Sequence, residues 1–264
     1  MEKVVSGDGT TIAYEKTGEG PPIVLLGGGF RDHTAFSTLV PELAPHLTVY
    51  AYDRRGRGQS GDAPEYSVQR EVEDLAAVIE AAGRDAVVFA VSSGAILALE
   101  AAMAGVPMGG LVVLEPPYRV EGFRKPEPEF AEKLRVLLDT DRSGAVEYFL
   151  AEHVGFPPDW IEDWKSGPMW EANVALAHTL AYDTVLMGDG RIPVERLAQT
   201  QVETLMVNSD STGDWLLAAA AATAAALPNG RRLQLPGLWH RVTPEVMGPV
   251  LVEFCTADRQ LKAA

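Results

Sequence analysis

The sequence predicts an α/β fold: a mostly parallel central sheet with flanking helices, interrupted by a helical insertion. Three observations predict it. In the first half, short β-rich runs alternate with helical patterns of about a dozen residues, the signature of crossover connections between parallel strands. From 116 to 200 the strand signals vanish, and helical segments rich in Trp, Met and Glu replace them. From 203 the alternation resumes, so a single sheet is interrupted.

In order, strands are expected at residues 11–16, 23–26, 47–52, 86–90 and 111–114, with helices at 33–43, 67–82 and 93–104. The helical assignments rest on apolar residues three and four apart, as in Val72, Leu75, Val78 and Ile79. The insertion is punctuated by Pro157-Pro158, Gly167-Pro168 and the Gly188 to Gly190 turn. Strands at 203–208 and 231–235 follow, with a helix at 215–227 between them and a last helix at 244–255. The alanine tract at 218–226 reads as a helix able to lie close against a sheet. The expected organisation is a core of 1–115 and 201–264 with a lid at 116–200.

The length of 264 residues suits one large core with an insertion. No stretch approaches the roughly 18 to 20 apolar residues of a membrane span. The opening MEKVVSGDGTTIAY has no apolar segment of the secretory kind, so a cytoplasmic location is expected. The single cysteine, Cys255, lies in the apolar run VLVEFC and reads as a buried, inert thiol. A net charge of −15 with no concentrated basic run speaks against nucleic acid and anionic membranes, and disfavours anionic substrates. Among five histidines there is no HExxH, CxxC or clustered pattern, and no P-loop or GxGxxG follows a strand, so no metal and no cofactor is expected. A small-molecule substrate is the expected partner, for a monomer or homodimer.

Chemistry enters at VVFAVSSGAILALEAA, an apolar strand, the turn Ala90-Val91-Ser92-Ser93-Gly94, and an amphipathic helix. Its shape is that of the G-x-S-x-G elbow, with Ala90 at the first small position. Small residues two positions either side are needed because the strained turn presses strand and helix together while thrusting the serine Oγ outward. Ser92 is thus a candidate nucleophile, against the plainer reading of a helix N-cap. The Ser93 amide, at a helix N-terminus, is placed to stabilise a developing oxyanion. A second amide should come from the Gly27-Gly28-Gly29-Phe30 loop, where Gly29 is the candidate.

A serine hydroxyl needs an imidazole to take its proton. His33 and His46 flank the first helix, and His153 and His178 lie in the insertion. His240, in PGLWH after the last strand, alone occupies the loop where such sheets place their chemistry. Two carboxylates compete to orient it: Asp210 in MVNSDST, also read as a turn residue, and Glu115, which ends the strand after the Ser92 helix. Spacing leaves both open.

With these residues assembled, the chain resembles the α/β-hydrolase superfamily over essentially its whole length. YDRRGRGQSGD at 52–62 is similar to the structural loop after the superfamily's fourth strand, and 116–200 to its helical lid. Ser92-Ser93-Gly94-Ala95, Glu115-Pro116 and a late His240 together resemble the zearalenone-type lactonases. That resemblance implies Glu115 as the acid, with Asp210 the alternative, and oxyanion amides at Gly29 and Ser93. Many members carry His-Gly and Gly-His where this chain has Gly27-Gly28 and Ala90-Val91. These changes keep the backbone donors and alter the pocket floor.

Phe30, Trp170, His178 and Tyr182 are the expected substrate-contacting residues, the last three from an aromatic stripe of the lid that also holds Trp160, Trp164, Met169 and Met187. The function expected is serine hydrolysis of a carboxylic ester or lactone of a small, largely apolar substrate. The alternatives on the same scaffold are non-hydrolytic cofactor-free chemistry, as in a lyase, cyclase or perhydrolase, or a small-molecule receptor.

Overall fold

The computed structural model describes residues 1–123 and 129–257. Residues 124–128 of the expected insertion and 258–264 of the expected core lie outside the described residues. Eight strands form one sheet: β1 Glu2–Val5, β2 Thr11–Thr17, β3 Pro22–Leu26, β4 Thr48–Tyr52, β5 Val87–Val91, β6 Gly110–Leu114, β7 Thr204–Ser209 and β8 Gly230–Leu235. Their order is β1-β2-β4-β3-β5-β6-β7-β8. β2 runs antiparallel to β1 and β4, and every other pairing is parallel.

Between the strands run α1 Val40–Leu43, α2 Val68–Ala82 and α3 Ser93–Met103. After β6 come α4 Phe130–Thr140, α5 Arg142–Tyr148, a π-helical turn Phe149–Val154, α6 Pro158–Lys165, α7 Trp170–Ala175, α8 Leu180–Met187 and α9 Val194–Leu197. β7 and β8 are linked by α10 Asp214–Ala226, and α11 Pro244–Thr256 closes the described chain. No helix of the described residues is long and apolar enough to cross a membrane.

The central strands are covered on both faces, which is why they read as continuous apolar runs and not as alternating ones. Val24, Leu26, Val88, Ala90, Val113 and Met206 point to one core, with α2, α3 and α10. Their neighbours Ile23, Leu25, Val87, Phe89, Val112 and Val207 point to the other, with α1 and α11.

Two expectations are corrected. The helix expected at 33–43 is a 3-10 turn, His33–Phe36, capped by Asp32, followed by the separate α1. Pro41 explains the break, because a ring without an N–H cannot continue the hydrogen-bond ladder of a helix already begun. β1 had no counterpart in the sequence reading: four residues at an exposed edge, three of them exposed, carry too little apolar pattern to register.

Candidate active site

Ser92 ends the β5 to α3 turn with φ 56° and ψ −125°, a strained conformation for a side chain with a Cβ. Its amide is held by the Leu114 carbonyl of β6 at 2.9 Å. The turn is crowded as an elbow must be. A Cβ on Gly94 would lie 2.5 Å from the Gly27 carbonyl oxygen, and one on Gly28 would lie 2.9 Å from the Ser92 Cβ. Ala90 is fully buried, so the first small position accepts a methyl group. Among the described residues four non-glycines have positive φ: Phe30, Ser92, Glu115 and Trp239. All four sit at the strand ends of this one site, where backbone strain is characteristically stored.

Glu115, directly after β6, is completely buried, and its Oε2 lies 2.7 Å from His240 Nδ1. A carboxylate only accepts, so Nδ1 carries the proton and Nε2 is left with a lone pair. The Ser209 amide (2.9 Å) and hydroxyl (2.6 Å) both donate to Oε1, and the same hydroxyl contacts the Trp239 carbonyl beside His240. Burial alone would raise the Glu115 pKa, but the hydrogen bond from His240 and the attraction of that ring in its protonated form, with the Ser209 donors, hold it below the ordinary carboxylate value. Asp210 is exposed and instead accepts from the Gly237 amide (3.1 Å) and the Ser211 hydroxyl (3.1 Å), as a turn residue does.

A lowered folded-state pKa has a consequence of definite sign. The ionised Glu115 contributes stability above the unfolded value of about 4.3, and this is lost as pH falls through the folded value. The denaturant midpoint of the wild type should therefore fall more steeply below about pH 4.3 than that of Glu115→Gln. Parallel curves would contradict this.

Ser92, Ser93, His240 and the Gly27 to Phe30 loop border one cavity of about 520 Å³ at the carboxyl ends of the strands. The π-helical turn adds Phe149 and His153, and Trp164, Met169 and Met187 also line the cavity. The pKa of His153 is pushed down to about 4 by burial and by the charge of Arg119, and neither ring nitrogen has a partner among the described residues.

The two candidate oxyanion residues are held from behind by a buried ion cluster. Arg57 Nη1 donates to the Gly28 carbonyl at 2.5 Å. In a trans peptide the carbonyl and the following N–H point in opposite directions, so this bond directs the Gly29 amide away from Arg57. Arg54 binds Glu71 through two hydrogen bonds (2.5 and 2.9 Å) and reaches the Ser93 hydroxyl at 3.3 Å. Asp183, from α8, bridges Arg54 (2.9 Å) and Arg57 (3.0 Å) with no exposure. Burial would raise its pKa, but the two guanidinium charges keep it below the ordinary aspartate value.

Comparison with known proteins agrees with this architecture. Residues 23–254 match the profile described as the Alpha/beta hydrolase family. The chain belongs to the alpha/beta hydrolase family. It is 30% identical to a putative carbamate hydrolase, RutD, of Azorhizobium caulinodans, over 94% of this chain and 96% of that protein. A crystal structure of an alpha/beta hydrolase from Sphaerobacter thermophilus is 47% identical and covers 97% of this chain and 100% of that one, with a TM-score of 0.93. The esterase RhEst1 of Rhodococcus shares the fold at 20% identity and a TM-score of 0.71, covering 97% of this chain and 98% of its own.

In this alpha/beta hydrolase three of the expected substrate-contacting residues face elsewhere. Trp170 is buried in the core and is not among the residues that line the cavity. His178 Nε2 bonds the Gly56 carbonyl (2.9 Å), and Tyr182 bonds Asp62 (2.7 Å) while stacking on Tyr66. The latter two lie on a face of the helical segment that docks onto the 54–62 loop, a register no single-segment pattern reveals. Phe30 does line the cavity.

Sequence reasoning missed Arg54, Arg57, Asp183 and Ser209. A signal existed for the first three: RRGR directly after a buried strand, and a lone Asp in the apolar helix LAYDTVLM. Asp32, His33 and Asp53 place potential ligand atoms within 4.8 Å of one another. These atoms are engaged in the turn itself, Asp53 Oδ1 accepting from the His33 amide (2.8 Å) and ring (2.7 Å), and Asp32 Oδ1 from the Thr34 amide (2.9 Å).

Proposed function

We propose that the protein is a serine hydrolase that cleaves a carboxylic ester or lactone. Ser92 Oγ attacks the carbonyl carbon while its proton passes to His240 Nε2. The Gly29 and Ser93 amides stabilise the resulting oxyanion. His240 returns the proton to the leaving alkoxide, which departs and leaves an acyl-enzyme on Ser92. A water then attacks, again giving a proton to His240, and the free acid leaves as Ser92 is regenerated. In a lactone the alcohol stays tethered to the acyl group throughout. Glu115 holds the imidazole in the tautomer that leaves Nε2 able to accept.

The observation that carries this reading is the 2.7 Å Glu115 to His240 hydrogen bond at the rim of the cavity that Ser92 enters. The helical segment between β6 and β7 is read as the lid over that cavity, a reading supported by Phe149, Trp164 and Met187 lining the same cavity as Ser92. A carbamate carbonyl would suit the same machinery, in keeping with the 30% identical relative.

Turnover of 4-nitrophenyl esters and of small lactones by variants tests the acid. Glu115→Gln should lower kcat by about 10³- to 10⁴-fold through loss of the required tautomer. Asp210→Asn should stay within a few-fold of wild type. Equal activity in the two variants would sink the assignment.

A further inference from the structure

The chain carries 37 acidic residues, yet among the described residues no Asp or Glu lines the cavity, which is bordered instead by Arg31 and Arg241. Arg31 directly follows the Gly27 to Phe30 loop. Its guanidinium sits 5.7 Å from the Phe30 ring centroid and 5.4 Å from that of Trp164. Its hydrogen-bond partner is the Asn173 carbonyl oxygen, 3.3 Å from Nη1, which positions the group without neutralising it. The charge next in the chain, Asp32, has Oδ1 committed to the amide and hydroxyl of Thr34.

The contrast with the other inward-facing arginines is sharp. Arg54 is paired with Glu71 and Asp183, Arg55 with Asp74 and Asp8, and Arg57 with Asp183. Among the described residues Arg31 has no carboxylate partner of this kind. Desolvation lowers its pKa, the charge of Arg241 acts in the same direction, and the charge of Asp32 opposes both without overcoming them. A cation withdrawn from water without a directly paired carboxylate is costly, and a planar guanidinium with free donors is suited to one.

We propose that Arg31 is the seat of a substrate carboxylate, so that this hydrolase acts on monoanionic esters or lactones, with Arg241 adding to the positive potential at the rim. The proposal rests on the hydrolase reading and names the substrate class of that site. It reverses the expectation drawn from net charge. The overall −15 acts at long range, where salt screens it beyond about 8 Å, whereas a bound substrate meets the local field of the cavity.

Two matched substrate pairs test the idea, each with its uncatalysed rate subtracted. In mono-4-nitrophenyl adipate against 4-nitrophenyl hexanoate, the carboxylate replaces a methyl in the acyl chain. In 4-acetoxybenzoate against phenyl acetate, it lies on the leaving group. The readout is the kcat/KM ratio of anionic to neutral member, compared between wild type and Arg31→Met. In at least one pair this ratio should fall about 10- to 100-fold in the variant, the discrimination expected of a hydrogen bond to a charged group. Arg31→Gln is read the same way and serves if Arg31→Met does not fold.

Ratios that shift less than threefold in both pairs overturn the proposal while leaving the hydrolase reading intact. If no ester is turned over, that reading fails, and calorimetry on Ser92→Ala decides the subsite alone. Saturable binding of adipate or 4-hydroxybenzoate that Arg31→Met abolishes would sustain it. Absence of saturable binding, or binding that survives Arg31→Met, would overturn it.

Discussion

Ser92→Ala is expected to lower kcat on any ester the protein turns over by about 10⁴- to 10⁶-fold, with folding retained. His240→Ala should fall in the same range, and the double variant should be little worse than either single one, because nucleophile and base act as one unit. The strained φ of 56° at Ser92 belongs to the turn and not to the hydroxyl, so the alanine variant keeps the elbow. Burst kinetics and steady-state rates check all three variants. Additive losses in the double variant would mean that the two residues do not share a step.

Asp183→Asn should cost about 3–5 kcal/mol, a large part of the 5–15 kcal/mol typical of a folded domain. Asp183 is the carboxylate between two fully buried guanidiniums, and Asn keeps its shape while removing its charge. Arg54 would retain Glu71, but Arg57 would lose its partner 3.0 Å away, the only carboxylate paired with it among the described residues. Because Arg57 also holds the Gly28 carbonyl, the activity of whatever folded variant remains should drop as well. Chemical denaturation measures the first effect, and a loss under about 1 kcal/mol would place the cluster with exposed surface pairs.

Local features were legible in the sequence. The elbow around Ser92 needs only a strand, a crowded turn and a helix, all contiguous from 87 to 103, and His240 lies on the loop after the last strand. Glu115 was one of two candidates on spacing alone. What separates it from Asp210 is depth: Glu115 is buried beneath Ser209 and His240, while Asp210 is exposed one residue beyond β7.

What depends on docking between distant segments was not legible. Trp170, His178 and Tyr182 share a stretch with Trp164 and Met187, yet only the latter pair reaches the cavity. The contacts that dock this segment are long-range: Asp183 of α8 is bonded to Arg57 and Arg54, 126 and 129 residues away in sequence. The 33–43 segment likewise reads as one helix on apolar spacing until Pro41 divides it.

The central claim is that Ser92 is an activated nucleophile. Labelling of the folded protein with a fluorophosphonate, followed by peptide mass spectrometry, tests it most directly. A single adduct on the peptide containing Ser92, absent from Ser92→Ala and strongly slowed in His240→Ala, is the predicted result. No adduct at Ser92, under conditions that label a known serine hydrolase, would contradict it.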